Sequence, residues 1–365
     1  MTTRYRADQV GSLLRPAELL QARSAHAEGR LRPEELRKVE DRSILDALAL
    51  QRQVGLDVVT DGEFRRGSWL TDMAAAVEGF IPDRVMLEWR GPGGGAEATT
   101  ANVVGARLQQ TRRLTGDQVA FVKAHASGPF KMTLPTPSSF YLVSYKPGIT
   151  DRVYASRTEM LQDLAAIIRG EIRALADEGV PYIQLDAPYY TSYIDRAVRE
   201  RVRQSGIDPD RAFDESLAAD RACLEGVQRA GVTLAMHVCR GNSKSRWFTE
   251  GGYDPIAAKL FGSLPVDTVL LENETERAGG FEPLRHVPRG KTVVLGLVST
   301  KVPTLEREDD LRRRIEEASK YAPLENLALS PQCGFASVAA GNLLSLDDQR
   351  RKLGLVVATA RRVWG

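Results

Sequence analysis

Thr233-Leu-Ala-Met-His-Val-Cys239 is the stretch from which the rest of this 365-residue chain is read. Its apolar and β-leaning residues contain no turn-former, so they spell a short strand buried on both faces, as in a parallel sheet. Residues i and i+2 of a strand point the same way, so His237 and Cys239 leave its C-terminal end together and can grip one ion. Taken alone, a His-x-Cys pair is a weak signal. Its weight comes from the ligands that later strand ends supply.

The same apolar pattern recurs on both sides of it. Runs fall at Gln9–Leu13, Leu56–Thr60, Phe130–Leu134, Tyr182–Leu185, Thr233–Val238, Thr268–Leu271, Thr292–Val298 and Leu327–Leu329. Helical periodicity fills most of the gaps, as in Glu35–Val54, Arg157–Glu178, Phe213–Ala230 and Leu311–Tyr321. Gly55, Gly179 and Gly231 stand where glycine closes a helix ahead of a strand. Eight strands alternating with helices predict an α/β chain folded as one (β/α)8 TIM barrel over residues 1–365. An open doubly wound sheet is the runner-up, but no G-x-G-x-x-G follows the first strand.

Two segments depart from this rhythm. Arg84–Arg113 holds Gly91-Pro-Gly-Gly-Gly95 between two β-leaning runs, Val85–Trp89 and Ala101–Leu108. That predicts a hairpin-like insertion between the second and third strands, roughly 84–113, with a mobile glycine tip. Pro16–Lys38 is helical, with a break near Gly29–Pro33.

Fifty basic residues against 48 acidic ones give a net charge of +2 with no block of one sign. This excludes a nucleic-acid or polyanion surface and points to a small or neutral partner. The N-terminus has no apolar signal core and the chain no run long enough to span a bilayer, so a cytoplasmic protein without membrane contact is expected. Three cysteines do not make a disulfide framework.

In a barrel, the active groups sit where strands end. Here those ends are Gly11-Ser12, Asp61-Gly-Glu63, Asp186-Ala-Pro188, His237-Val-Cys239, Glu272-Asn273, Ser299 and Pro331-Gln-Cys333-Gly334. Two thiols, an imidazole and carboxylates on one rim suit tetrahedral zinc, not the all-oxygen shells of calcium or magnesium. Glu274 and Glu276 are alternatives to Glu272. Cys223 is expected to pack within its helix, and Asp61 and Glu63 can equally cap a helix. Arg65 and Arg66 offer themselves to an anionic substrate end or to solvent, and Tyr189, Tyr190 and Tyr193 to a pocket wall or the core.

With those motifs in order, the chain resembles the zinc-dependent catalytic barrel of cobalamin-independent methionine synthase and its single-domain relatives. Val10-Gly11-Ser12 and Asp61-Gly-Glu63 resemble the family's homocysteine and Gly-Glu motifs. Gln184-Leu-Asp186-Ala-Pro188 resembles its Gln-Ile-Asp-Glu-Pro, and His237-Val-Cys239, Glu272 and Pro331-Gln-Cys333-Gly334 its zinc ligands. The resemblance implies Zn²⁺ held by His237, Cys239, Glu272 and Cys333. It implies a homocysteine clamp of Val10, Gly11, Ser12, Glu63 and Asp186, Asp186 also being a candidate catalytic group, and S-methylation of homocysteine to methionine.

The chain also departs from the family. The full-length synthases carry a second barrel in front of this one. Strand seven here ends Gly296-Leu-Val298-Ser-Thr, where the family has Asp-Ile-His-Ser-Pro. Gln332 replaces an Asp and Ala187 a Glu. The donor therefore stays open between methyltetrahydrofolate and methylcobalamin, the latter borne by a corrinoid protein. Transfer to another thiol such as coenzyme M, alkyl–sulfur cleavage, and a non-catalytic zinc- or thiol-binding partner protein are the alternatives.

Overall fold

Six of the eight apolar runs form one parallel sheet in the computed structural model, which describes residues 4–227 and 231–365. Its strands are β3 (Lys131–Pro135), β4 (Tyr182–Asp186), β5 (Thr233–Val238), β6 (Thr268–Glu272), β7 (Thr292–Val298) and β8 (Leu327–Pro331), paired in that order. All but the last residue of β4 are buried, as strands covered on both faces must be. The register sets Pro135 beside Asp186 and Asp186 beside His237, so the polar ends of three strands lie at one level.

Neither of the first two runs forms the expected strand: Leu56–Thr60 makes one isolated parallel bridge, Val59 with Phe130, and Gln9–Leu13 makes none, the bridge there being two residues earlier, Ala7 with Leu329. Side chains have taken the bonds a ladder would use. Asp57 Oδ2 accepts from the amides of Arg6 (2.6 Å) and Ala7 (3.0 Å). The Gln51 amide holds both the N–H and the carbonyl of Thr60, at 2.9 and 2.7 Å. Both sheet edges nonetheless meet these segments. The backbone amides donate: Asp8 N to Leu329 O (2.9 Å), Lys131 N to Val59 O (2.9 Å), and Asp57 N to Ala7 O (3.1 Å).

Helices Pro33–Val54, Arg157–Asp177, Pro209–Leu224, Asp254–Ser263, Glu308–Ala318 and Leu346–Trp364 follow the sequence periodicity and contribute buried apolar residues to the main core. The helix expected over Phe213–Ala230 starts earlier, at Pro209, because the Asp208 carboxylate accepts from Asp210 and Arg211 as an N-cap. It ends at Leu224, and residues 228–230 lie outside the described part. The break expected near Gly29–Pro33 separates Ala17–Ala27 from Pro33–Val54. A second, smaller apolar cluster joins Tyr5, Val10, Val58, Tyr182, Ala235, Leu270, Val294 and Ala328. None of the described helices is long and apolar enough to cross a membrane.

The hairpin is an antiparallel ribbon of β1 (Val77–Trp89) and β2 (Gly95–Gln110), starting seven residues before the Arg84 expected from sequence. Gly79 and Pro82 read as breakers, but in a two-stranded ribbon every strand is an edge and tolerates both. Its burial alternates: Val85, Leu87 and Trp89 are half-buried while Met86 and Glu88 are exposed. The ribbon thus has an inner face, tied down at its tip. Arg90 and Trp247 exchange backbone bonds of 2.7 and 3.2 Å, and the Arg90 guanidinium pairs with both Asp195 oxygens, at 2.6 and 3.1 Å.

Candidate functional site

His237 is the penultimate residue of β5, Cys239 directly follows that strand, and the turn after β8 carries Cys333; all three are buried. Their potential ligand atoms lie within 4.8 Å of one another. His237 Nε2 is 3.6 Å from Cys333 Sγ. Bond lengths of about 2.05 Å to nitrogen and 2.3 Å to sulfur at a tetrahedral angle place N and S about 3.6 Å apart, so the spacing fits zinc.

Glu272, at the end of β6, is fully buried but does not belong to that group of three. Its Oε1 is 3.5 Å from Gln332 Nε2, and Arg240 and Arg277 approach Oε2 at 3.8 and 4.0 Å. Neither Glu272 Oε2 nor His237 Nδ1 has a hydrogen-bond partner. Buried polar atoms left unpaired are costly, and a cation beside them would remove part of that cost.

The electrostatics match an anionic cluster. Hydrogen bonding between the thiols holds Cys333 well below its ordinary value and pushes Cys239 well above. Burial is the largest influence on His237 and lowers it, but the bond to Cys333 and the charges of Cys333, Asp186 and Glu272 together outweigh it and the ring is raised. Burial pushes Glu272 up to about 7, with Glu274 adding to the rise.

Val10, Ser12, Glu63 and Asp186 share one cavity of about 230 Å³ with His237, Cys239 and Cys333. Gly11 is not part of the lining. A Cβ there would sit 2.6 Å from Glu63 Oε1, so glycine is what lets the carboxylate approach. Glu63 adopts φ 59°, a left-handed conformation that non-glycine residues hold only where the surroundings enforce it. Asp61 Oδ1 accepts its amide at 2.8 Å, and Thr133 donates to its Oε1 at 2.9 Å.

Gln184 donates to Val10 O (2.7 Å) and to Asp186 Oδ1 (2.9 Å), while Lys131 donates to its Oε1 (2.9 Å) and so orients the amide. Burial pushes Asp186 up to about 7, with Glu63 adding to the rise and His237 opposing it.

Other candidates are placed elsewhere. Arg66 is buried against Asp72 and Thr133, and Arg65 against Asp41 and the Phe121 ring, so both are engaged within the protein. Cys223 packs in its helix with its thiol on Asp220 O. Tyr189 lines the cavity, whereas Tyr190 and Tyr193 are buried in the core.

Sequence reasoning missed the roof of the cavity, to which the ribbon's Val85, Leu87, Trp89 and Glu97 contribute with Trp69 and Phe248. The alternation Val85-x-Leu87-x-Trp89 was its signal. It gave no mechanism for Arg240, which follows Cys239 at the rim. This fully buried guanidinium donates to Glu272 O (3.0 Å), Gly251 O (2.7 Å) and Ala278 O (3.1 Å), tying the loop after β5 to that after β6.

The profile of the family described as "Cobalamin-independent synthase, Catalytic domain" matches residues 6–360. The chain belongs to that family. It is 35% identical to the uncharacterized protein YxjH of Bacillus subtilis, over 99% of this chain and 95% of that one. A methionine synthase of Saccharolobus solfataricus is 23% identical over 89% of this chain and 86% of its own. Among solved structures, a putative vitamin-B12-independent methionine synthase from Listeria monocytogenes superposes with a TM-score of 0.76 at 27% identity, covering 100% of this chain and 99% of that one. A 5-methyltetrahydropteroyltriglutamate–homocysteine methyltransferase of Vibrio cholerae is 24% identical over 89% of this chain, which spans 39% of it.

Proposed function

We propose that this member of the cobalamin-independent synthase family is a zinc-dependent S-methyltransferase that methylates homocysteine to methionine. The observation that carries it is the convergence of His237, Cys239 and Cys333, at zinc-ligand spacing, in the cavity that holds Ser12, Glu63 and Asp186. His237, Cys239 and Cys333 would hold the ion, and Glu272 is proposed as the fourth ligand because its buried Oε2, which has no hydrogen-bond partner, lies at the end of the neighbouring strand β6. When bound, zinc supplies deprotonation and positioning of the substrate thiol.

The chain's own residues do the rest. Glu63 and Asp186 bind the ammonium group of the amino acid, and their acidity favours homocysteine over a thiol without one. Ser12 and the Val10–Ser12 backbone take its carboxylate end. The ribbon covers the sulfur and sheds water, so the thiolate meets the methyl carbon in a dry site. The methyl donor is the part of the reaction that these ligands do not define.

We infer also that the chain is a single catalytic domain closed as a (β/α)8 barrel, with the ribbon inserted between its second and third strands. The bonds from β8 to Ala7–Asp8, from there to Asp57, and from Val59 to β3 support closure, as does the apolar cluster drawn from seven of those segments.

Cysteine replacement tests the ligand set. Cys239→Ser and Cys333→Ser are expected to lose most of the zinc and at least a hundredfold in activity while retaining native circular dichroism; Cys223→Ser should match the wild type in both. Stoichiometric zinc in the Cys333 variant would refute the site.

A further inference from the structure

We propose that Lys131 is a positioning residue for the thiol substrate, acting through Gln184 and with Asp8 as its counter-ion. This rests on the homocysteine reading and names what sets the preference for a thiol with an amino-acid end. None of the three is among the described residues that line the cavity.

Lys131, Asp8 and Gln184 are buried together one layer below the clamp. The Lys131 ammonium meets three acceptors: Asp8 Oδ1 at 2.7 Å, Gln9 O at 2.7 Å and Gln184 Oε1 at 2.9 Å. Three acceptors take all three of its hydrogens, so the group is held as the cation. It lies 4.3 Å over the Tyr182 ring, whose hydroxyl donates to the other Asp8 oxygen at 3.0 Å.

A buried ion pair is a poor device for stability. Apolar residues of similar volume often hold a core as well, whereas removing one partner strands the other charge. What this pair does that leucine and methionine could not is orient an amide. With the ammonium on Oε1, the Gln184 Nε2 faces the other way, donating to Val10 O (2.7 Å) and Asp186 Oδ1 (2.9 Å). A flipped amide would set N–H groups against the ammonium.

Those two acceptors belong to different parts of the amino-acid clamp. Gln9–Leu13 pairs in no ladder, so its carbonyls are placed by other bonds: Gln9 O by Lys131 and Val10 O by Gln184. Asp186 ends β4, two residues beyond Gln184 and on the same face. Lys131 thus indexes both parts to β3. The same strand indexes Glu63, because Thr133, two residues on from Lys131, donates to Glu63 Oε1 at 2.9 Å. A shift at Gln184 would spread the groups that grip the amino-acid end. The sulfur end of the site, at His237, Cys239 and Cys333, is reached by none of these bonds.

The test is calorimetric binding of two probes to the zinc-loaded full chain: homocysteine, and 1-propanethiol, which keeps the thiol and lacks the amino-acid end. Asp8→Leu combined with Lys131→Met removes both charges at once, and Gln184→Met cuts the link while leaving the ion pair in place. Each variant should bind homocysteine at least tenfold more weakly, about the loss of one charge-assisted hydrogen bond. Each should bind 1-propanethiol within twofold of the wild type and keep its zinc. Gln184→Met decides alone if the double variant does not fold. Variants that bind homocysteine as tightly as the wild type would overturn the proposal and leave the homocysteine reading standing. Equal loss of both probes would also overturn it, since the pair would then support the whole site and not the clamp. A wild type that binds 1-propanethiol as well as homocysteine would sink the clamp, and this inference with it.

Discussion

Gly334 shows how narrowly single residues are constrained at this site. A Cβ on it would lie 2.0 Å from Ser12 Oγ, the hydroxyl that accepts from Ala336 N at 3.3 Å. Gly334→Ala must push Ser12 aside. It is expected to cost about 1–3 kcal/mol of stability, as overpacking does, and to raise the KM for homocysteine about tenfold. Adding Ser12→Ala should recover much of the stability but not the KM. A Gly334→Ala protein with wild-type melting and KM would refute the contact. Asp220, which is not among the proposed zinc ligands, supplies a pH-dependent term. Burial pushes its carboxyl up to about 7, although Tyr190 (2.7 Å) and Ser138 (2.7 and 2.8 Å) donate to it. A carboxyl raised on folding binds its proton more tightly in the native state, so this stability is complete below pH 3.8 and is lost as pH rises through about 7. The melting temperature should therefore fall between about pH 4 and 7 and level off above that, and Asp220→Asn should flatten that part of the profile. Parallel profiles would show that Asp220 does not titrate there.

Among the elements, the ribbon was the least legible in sequence. Its turn was plain from Gly91-Pro-Gly-Gly-Gly95, but its length was not, because Gly79 and Pro82 interrupt the pattern where Val77–Trp89 nonetheless pairs. Its function as a roof depends on Arg90 reaching Asp195, a contact across 105 residues that no local pattern reveals. Strands β3 to β8 were legible because residues buried on both faces leave an unbroken apolar run. The first two segments were apolar for the same reason, yet Asp57 and Gln51 replace their ladders with side-chain bonds. The tether makes a distinct prediction. Asp195 also caps Arg196–Gln204, accepting from Ala197 and Val198, so removing it would disturb two elements; Arg90→Ala leaves that cap in place while freeing the ribbon from Asp195 and Glu250. In that variant, amide exchange should speed up at least tenfold over Val85–Glu97 and stay unchanged in β4 to β6. Unchanged exchange in the ribbon would mean that packing on Trp247 and Phe248 suffices to hold it.

At the scale of the whole molecule, the candidate site was more legible than the means of holding it together. His237, Cys239 and Cys333 could be placed from strand order alone, because each ends or follows a parallel strand and parallel strands deliver their C-terminal ends to one side. What could not be read were the contacts of Lys131, Gln184 and Arg240, buried polar groups that reach Gln9, Val10 and Glu272 across 122, 174 and 32 residues. Those groups fix the layer, yet the layer still concentrates two thiols, an imidazole and Glu272 in a dry interior, and such a cluster opposes folding unless its charge is balanced. An ion that binds the native state and not the unfolded chain stabilises by RT ln(1 + [L]/Kd), about 4 kcal/mol at a thousandfold excess over Kd, and by less if unfolded cysteines also bind it. Removing zinc with a chelator is therefore expected to lower the melting temperature by several degrees. Restoring one equivalent should reverse this. Cys223→Ser should respond as the wild type does, and Cys239→Ser and Cys333→Ser should melt at the same temperature with and without zinc. If the wild type melts identically in both states, the cluster draws no stability from a metal, and the zinc reading of His237, Cys239 and Cys333 fails with it.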